Sequence, residues 1–228
     1  MKYQLRDYQK KASDAAVMCF KMKSGRNGLL VLPTGAGKSL IIADIAARLE
    51  EPLIVFQPNK EILEQNFAKL QTYGIWDCSI YSASVGRKEI SRITFATIGS
   101  VIRHMKDFQH FKNILIDECH LVKPSDGMYK RFFEQAERRI VGLTATPYRL
   151  YSCMNGSMLK FLTRTRPRVF SQVLYYCQVS ELLAKGFLSR LKYYDVTRID
   201  LTKVRRNSSG ADFDDASPVS YTHLTLPT

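Results

Sequence analysis

Five short apolar runs, each cut off by a polar or glycine-containing cluster, constrain this chain more than any other feature. They are residues 29–32 before PTGAGKS, 53–56 before QPNKE, 93–96 before TIGS, 114–116 before DECH and 140–143 before TATPYR. Consecutive apolar residues without alternation suit strands buried on both faces of a parallel sheet. Helical stretches are expected between them, at 38–49, 61–73, 101–108 and 129–138, with an earlier one at 8–22. Strand, loop and helix repeated in this way predict an open α/β sheet with helices on both faces. Ligands of such sheets bind beyond the carboxyl ends of the strands, where all five clusters fall.

Two of the clusters carry recognisable chemistry. In LPTGAGKS, Gly35 and Gly37 let the backbone curl so that its N–H groups face phosphates at a helix N-terminus. Thr34 and Ala36 complete that loop, Lys38 reaches the β- and γ-phosphates, and the Ser39 hydroxyl takes a Mg²⁺ position. The first position is Leu32 where the general phosphate-loop pattern has glycine. An ordinary glycine turn is the competing reading, and GAGKS directly after LLVL argues against it. In ILIDECH, Asp117 and Glu118 end a buried strand, 79 residues beyond Lys38 (117 − 38). A carboxylate there is costly unless a cation accompanies it. Asp117 therefore reads as a Mg²⁺ ligand and Glu118 as the group that orients and deprotonates water. Cys119 reads as a small packed residue.

The ordered set LRDYQ, PTGAGKS, QPNKEILEQ, TFATIGSV, DECH and GLTATPYR resembles the first lobe of superfamily 2 helicases and translocases. Within that group it is most similar to the bacterial RadD-like DNA-repair helicases. The resemblance covers residues 4–150, and 170–196 more loosely through VSELLAKGFL. It implies a RecA-like P-loop NTPase lobe that uses ATP and Mg²⁺. Arg6, Tyr8 and Gln9 would contact the adenine, although the same residues also read as the cap and start of an amphipathic helix. Pro58, Asn59, Thr97 and Ile98 would hold a nucleic-acid backbone; an ordinary strand-to-helix turn competes. Thr144, Ala145 and Thr146, joined by His120, would couple nucleotide state to lobe movement. DECH in place of DEAD favours DNA over RNA.

Charge agrees with a polyanionic partner. The chain carries a net charge of +13, and residues 149–206 hold twelve Lys/Arg against three Asp/Glu, a net of +9. A solvated basic surface explains the same numbers. No apolar run approaches the length of a membrane span or signal segment, and the five cysteines form no CxxC pair. A cytoplasmic protein without a membrane partner is expected.

The expected organisation is one lobe over 1–196, with an irregular basic insertion at 151–169 and a short helix at 179–185 followed by a strand at 191–196. A linker would begin at 197–218 and lead to a second RecA-like lobe that this chain lacks. The last ten residues, VSYTHLTLPT, match nothing before them and read as translated sequencing-adapter DNA. Two other functions compete with a nucleic-acid motor: another P-loop phosphotransferase such as a small kinase, and a fragment that binds ATP and nucleic acid without turnover.

Overall fold

A computed structural model describes residues 4–22, 26–153 and 156–190. The expected strand at 191–196, the linker and the last ten residues lie outside the described residues.

The apolar runs form the centre of an eight-stranded sheet. Its strands in chain order are β1 (Gly28–Val31), β2 (Leu53–Phe56), β3 (Cys78–Ser82), β4 (Arg87–Lys88), β5 (Ile93–Ala96), β6 (Asn113–Ile116), β7 (Arg139–Thr144) and, last, a strand at Gln172–Tyr176. Between β7 and that last strand lies a separate two-stranded hairpin, β8 (Tyr148–Cys153) with β9 (Gly156–Phe161), so the last strand is β10. The spatial order is β10-β1-β7-β6-β2-β5-β3-β4. All pairings in it are parallel except β3 with β4.

Helices cover both faces, as a doubly buried sheet requires. On one face lie α1 (Asp7–Lys21), α2 (Lys38–Arg48), α3 (Lys60–Thr72) and α6 (Val179–Ala184). Ala12, Ala16 and Phe20 of α1, four residues apart, form its buried stripe. On the other face, α4 (Ile98–Val101), a 3-10 turn at Met105–Phe108 and α5 (Met128–Phe133) enclose Phe108, Phe111 and Phe132. Each fully buried Phe contributes roughly 1.5–3 kcal/mol.

Three expectations need correction. The 151–169 segment is not irregular: it opens as the hairpin, whose pairs Tyr148–Phe161 and Leu150–Leu159 lie on one face. Its alternation was hidden by the basic residues that share the segment. The helix expected at 101–108 is not formed: α4 ends at Val101, the His104 N–H bonds to the Val101 carbonyl, and only a 3-10 turn follows at Met105–Phe108. The helix expected at 129–138 ends at Phe133. Arg138 is pulled inward instead, its guanidinium 3.9 Å over the Phe132 ring and bonded to the Phe108 and Phe111 carbonyls.

Parallel register lines up the strand ends. Val31 pairs with Thr144, Phe56 with Ile116, and Phe56 with Ala96. The next residue of each strand then bonds to its neighbour's last carbonyl: Leu32 N–H to Thr144, Asp117 N–H to Phe56 and Gln57 N–H to Ala96. The phosphate loop, DECH, QPNK and TIGS thus leave the sheet along one edge.

Candidate nucleotide and nucleic-acid site

The phosphate loop leaves β1 and enters α2 through two glycines in the left-handed region, Gly35 at φ 81° and Gly37 at φ 78°. Only glycine adopts this freely. The LRDYQ segment lies beneath the loop. Tyr8 Oη donates to the Ala36 carbonyl at 2.9 Å and Gln9 Nε2 donates to the same oxygen at 3.0 Å. The Arg6 N–H in turn donates to Gln9 Oε1 at 2.9 Å. A Cβ on Gly37 would sit 2.5 Å from Gln9 Nε2, so glycine there also makes room for the brace. Arg6 stacks its guanidinium 4.1 Å over the Phe187 ring. Of the three residues expected near adenine, Tyr8 and Gln9 are buried against the loop and Arg6 is exposed.

The acidic strand end faces the loop from β6. Asp117 is buried, accepting from the Glu118 N–H at 3.0 Å and from Asn66 Nδ2 at 3.3 Å. Burial pushes its carboxyl up to about 6, with Lys38 opposing that rise. Glu118 adopts φ 47°, a conformation that stores roughly 1–3 kcal/mol in a residue other than glycine. Its carboxylate meets the Lys38 ammonium at 2.5 Å. Cys119 is buried with its thiol pushed well above the usual range by desolvation. A Cβ on Gly142 would lie 2.6 Å from the Cys119 sulfur, so Cys119 packs into the space a side chain on β7 would fill.

From Glu118 the contacts continue into TATPYR. His120 Nδ1 lies 3.3 Å from Glu118 Oε2 and 3.1 Å from Thr144 Oγ1. Burial lowers the His120 pKa below its ordinary value, against the pull of Glu118. Thr144 Oγ1 accepts from the Thr146 N–H at 3.0 Å and lies 3.2 Å from the Thr146 carbonyl, to which it donates. The direction of the bond between the Thr144 hydroxyl and His120 Nδ1 follows the imidazole tautomer. Lys38, Glu118, His120, Thr144 and Thr146 therefore form one continuous network. Ala145 stands between the two threonines and lines a separate apolar cleft with Pro33 and Thr34.

Pro58, Thr97 and Ile98 come together beyond β2 and β5, around a pocket of about 460 Å³. Asn59 does not join them there. Its Oδ1 accepts from the Ile62 N–H at 2.9 Å and caps α3.

Mg²⁺ fits this arrangement. Among the described residues no cluster of three or more His, Cys, Asp or Glu could hold a metal by itself. A cation bound through one carboxylate, a hydroxyl and substrate phosphates needs no such cluster. Asp117 is the buried carboxylate such an ion would relieve, and Ser39 is the hydroxyl at the start of α2.

Residues 2–149 match the model of the family described as type III restriction enzyme, res subunit. The chain belongs to that family. The DNA 3'-5' translocase XPB2 of Sulfurisphaera tokodaii is 29% identical over 151 residues, covering 65% of this chain and 32% of the translocase. Among solved structures, the helicase domain of Pyrococcus furiosus Hef superposes with a TM-score of 0.58 at 17% identity, over 83% of this chain and 41% of that one. The Sulfolobus solfataricus SWI2/SNF2 ATPase core in complex with double-stranded DNA gives 0.53 at 21% identity, over 64% and 33%. Family and fold agree, and this chain has the RecA-like fold of those helicase and ATPase domains. It spans about a third of the length of the curated relatives it matches. Among the described residues no helix is long and apolar enough to cross a membrane.

Several site residues had escaped sequence reasoning. Asn66 falls on the buried stripe of α3 with Leu63, Phe67 and Leu70, and a polar residue in that stripe was the available signal. Phe187 lies in the KGFL segment with no pattern to link it to Arg6. Gln57 directly ends the β2 run, and its residue type alone says nothing of its surroundings.

Proposed function

We propose that the whole protein couples ATP hydrolysis to movement along or remodelling of DNA, in the manner of RadD-like DNA-repair helicases. The observation that carries the reading is the unbroken network from Lys38 through Glu118 and His120 to Thr144 and Thr146. It joins the residue suited to phosphate binding to the segment suited to signalling. A relative named as a DNA translocase and a structural neighbour bound to double-stranded DNA support a DNA partner.

Lys38 is held by Glu118. A triphosphate on the loop offers Lys38 a stronger partner, and Glu118 is released to take a proton from the attacking water. Ser39 and Asp117 would hold Mg²⁺, which neutralises charge on the phosphates. Release of Glu118 also removes one of the two partners of His120 Nδ1, which passes the change to Thr144. Gln9 keeps a second N–H and a second lone pair for adenine after bracing the loop, and the Arg6 guanidinium offers a flat face for the base to stack on. Pro58, Thr97 and Ile98 would line the nucleic-acid track, with Asn59 shaping it through its cap.

A second lobe that closes on this one and supplies an arginine to the γ-phosphate completes the proposal. Such an arginine contributes roughly 10³–10⁵-fold elsewhere in P-loop enzymes. The test is DNA-stimulated turnover of this chain against a longer chain carrying a second lobe. The longer chain should hydrolyse ATP faster by that order. Equal rates would place the complete catalytic apparatus in one lobe and defeat the two-lobe account; no hydrolysis by either would leave the non-enzymatic binding function.

A further inference from the structure

Phe187 reaches the phosphate loop from the far end of the described chain, and the end of α6 fixes where it lies. The chain turns at Gly186, φ 68°, directly after the last turn of α6. The Gly186 N–H bonds to the Leu183 carbonyl at 3.1 Å, and the Phe187 N–H to the Leu182 carbonyl at 2.8 Å. These two bonds make a Schellman cap, in which the residue after the glycine commonly packs on the helix it closes. Leu182 is itself buried, so the turn is anchored in the core. Any apolar residue at 187 would serve such a cap.

The ring has contacts that the cap does not need. Arg6 lays its guanidinium 4.1 Å from the ring centroid. The Tyr8 ring lies 5.8 Å away, tilted by 39°, and the Tyr8 hydroxyl bonds to Ala36 in the phosphate loop. Leu188, the next residue, stands against the loop as well: a Cβ on Gly35 would lie 2.9 Å from its Cδ2. A leucine at 187 would satisfy the cap but give Arg6 no π face to rest on. A guanidinium is planar and stacks on flat partners, and Phe187 covers one of its two faces. Arg6 remains exposed, so a ligand can reach it on the side away from the ring. Its backbone is tied down too, since the Arg6 N–H bonds to Gln9 Oε1.

We propose that Phe187 is a positioning residue for the nucleotide, holding the Arg6 guanidinium so that its free face stacks on the adenine ring. The inference rests on the reading of Arg6 and Gln9 as adenine contacts, and it adds to them a residue from the opposite end of the lobe. A free arginine side chain samples many rotamers, and ordering it on binding weakens the complex. A ring that has already ordered it removes that loss. Stacking meets the face of a base and not its edge, so Phe187 supplies affinity while the Gln9 amide meets the edge.

Calorimetric titration of the full chain with Mg·ATP and with the Mg²⁺ complex of ribose 5-triphosphate tests this. The second ligand carries the sugar and the three phosphates without the base. Wild type should bind ATP more tightly. Phe187→Leu should weaken ATP about three- to tenfold, the range of a stacked cation, and leave ribose triphosphate unchanged. Its denaturant midpoint should stay close to wild type, because leucine keeps the apolar contact of the cap. Phe187→Trp restores a π face and should bring ATP affinity back. Arg6→Lys should lose the same base-dependent part, and adding Phe187→Leu to it should weaken ATP no further.

If wild type prefers ATP and Phe187→Leu keeps the whole preference, the role of Phe187 is overturned and the adenine contacts stand. An equal loss for both ligands would overturn it too, by making Phe187 a support of the phosphate loop. Tighter ATP binding by Phe187→Leu would mean that the ring blocks the base. Equal wild-type affinity for the two ligands would remove the adenine reading of Arg6 and Gln9 itself, and the proposal with it.

Discussion

The two halves of the strand-end edge differ at one buried polar side chain. Around β1, β7 and β6, Tyr8 and Gln9 both donate to Ala36, Lys38 is paired with Glu118, and Thr144 joins His120 to Thr146. Around β2 and β5, Gln57 is buried with neither amide atom paired among the described residues. The first half is braced by the protein and waits for a ligand able to break a contact. The second keeps one buried amide that no described residue pairs, at a cost in stability. A group already satisfied can act as a switch, because binding must exchange partners.

The contrast breaks most visibly in turnover. Replacing Glu118 by Gln should slow hydrolysis by roughly 10²–10⁴-fold, the usual contribution of a general base. A steady-state phosphate-release assay on the two-lobe chain with DNA measures this, and a change under tenfold would mean that Glu118 is only Lys38's resting partner.

Stability sharpens the comparison next. Thr144→Val should destabilise the fold by about 1–3 kcal/mol, because the buried Thr144 hydroxyl holds three bonds, with the Thr146 N–H, the Thr146 carbonyl and His120. Gln57→Leu, equally buried, should not destabilise at all. Denaturant midpoints of both variants decide the matter. If they moved together in the same direction, the two halves would not differ as described.

Asp117 adds a gentler, pH-dependent difference. Its carboxyl is raised from 3.8 to about 6 in the fold, so the folded state binds more protons than the unfolded one between those values. Stability from this group is therefore fully present below the unfolded value and is lost as pH rises toward 6, with a slope of at most about 1.4 kcal/mol per pH unit. Asp117→Asn should lack that component. Comparing unfolding of wild type and variant from pH 4 to 7 without Mg²⁺ tests it, and parallel curves would refute the buried-carboxylate account.

The smallest effect belongs to the brace. Tyr8→Phe removes one of two donors to the Ala36 carbonyl and leaves Gln9 in place, so about 0.5–1.5 kcal/mol is expected. Thermal or chemical denaturation would register it, and a loss beyond about 3 kcal/mol, more than a neutral hydrogen bond supplies, would give Tyr8 a larger part in the core.

How much of this could be read from residues alone depended on where the determining interactions lie. The central strands were legible because burial on both faces leaves a continuous apolar run, as in LIVF and ITFA. Strands β3 and β10 were not, since CSIYS mixes polar residues into its run and QVLYY lies half-exposed at the sheet's edge. The hairpin was hidden by basic residues that drew attention to charge rather than alternation. Within the site, the phosphate loop was legible because its chemistry is carried by consecutive residues. The Lys38–Glu118 pair and the unpaired Gln57 were not, because each is a relation between distant elements. Asn59 illustrates the limit: its motif suggested backbone contact, while its side chain caps a helix.

The central claim is that Lys38 exchanges Glu118 for a nucleotide's phosphates. Calorimetric titration of ATP with Mg²⁺ into wild type, Lys38→Ala and Glu118→Gln tests it most directly. The account predicts that Lys38→Ala binds most weakly and Glu118→Gln most tightly, since that substitution frees Lys38 of its resting partner. Affinity unchanged in Lys38→Ala, or weakened in Glu118→Gln, would contradict it.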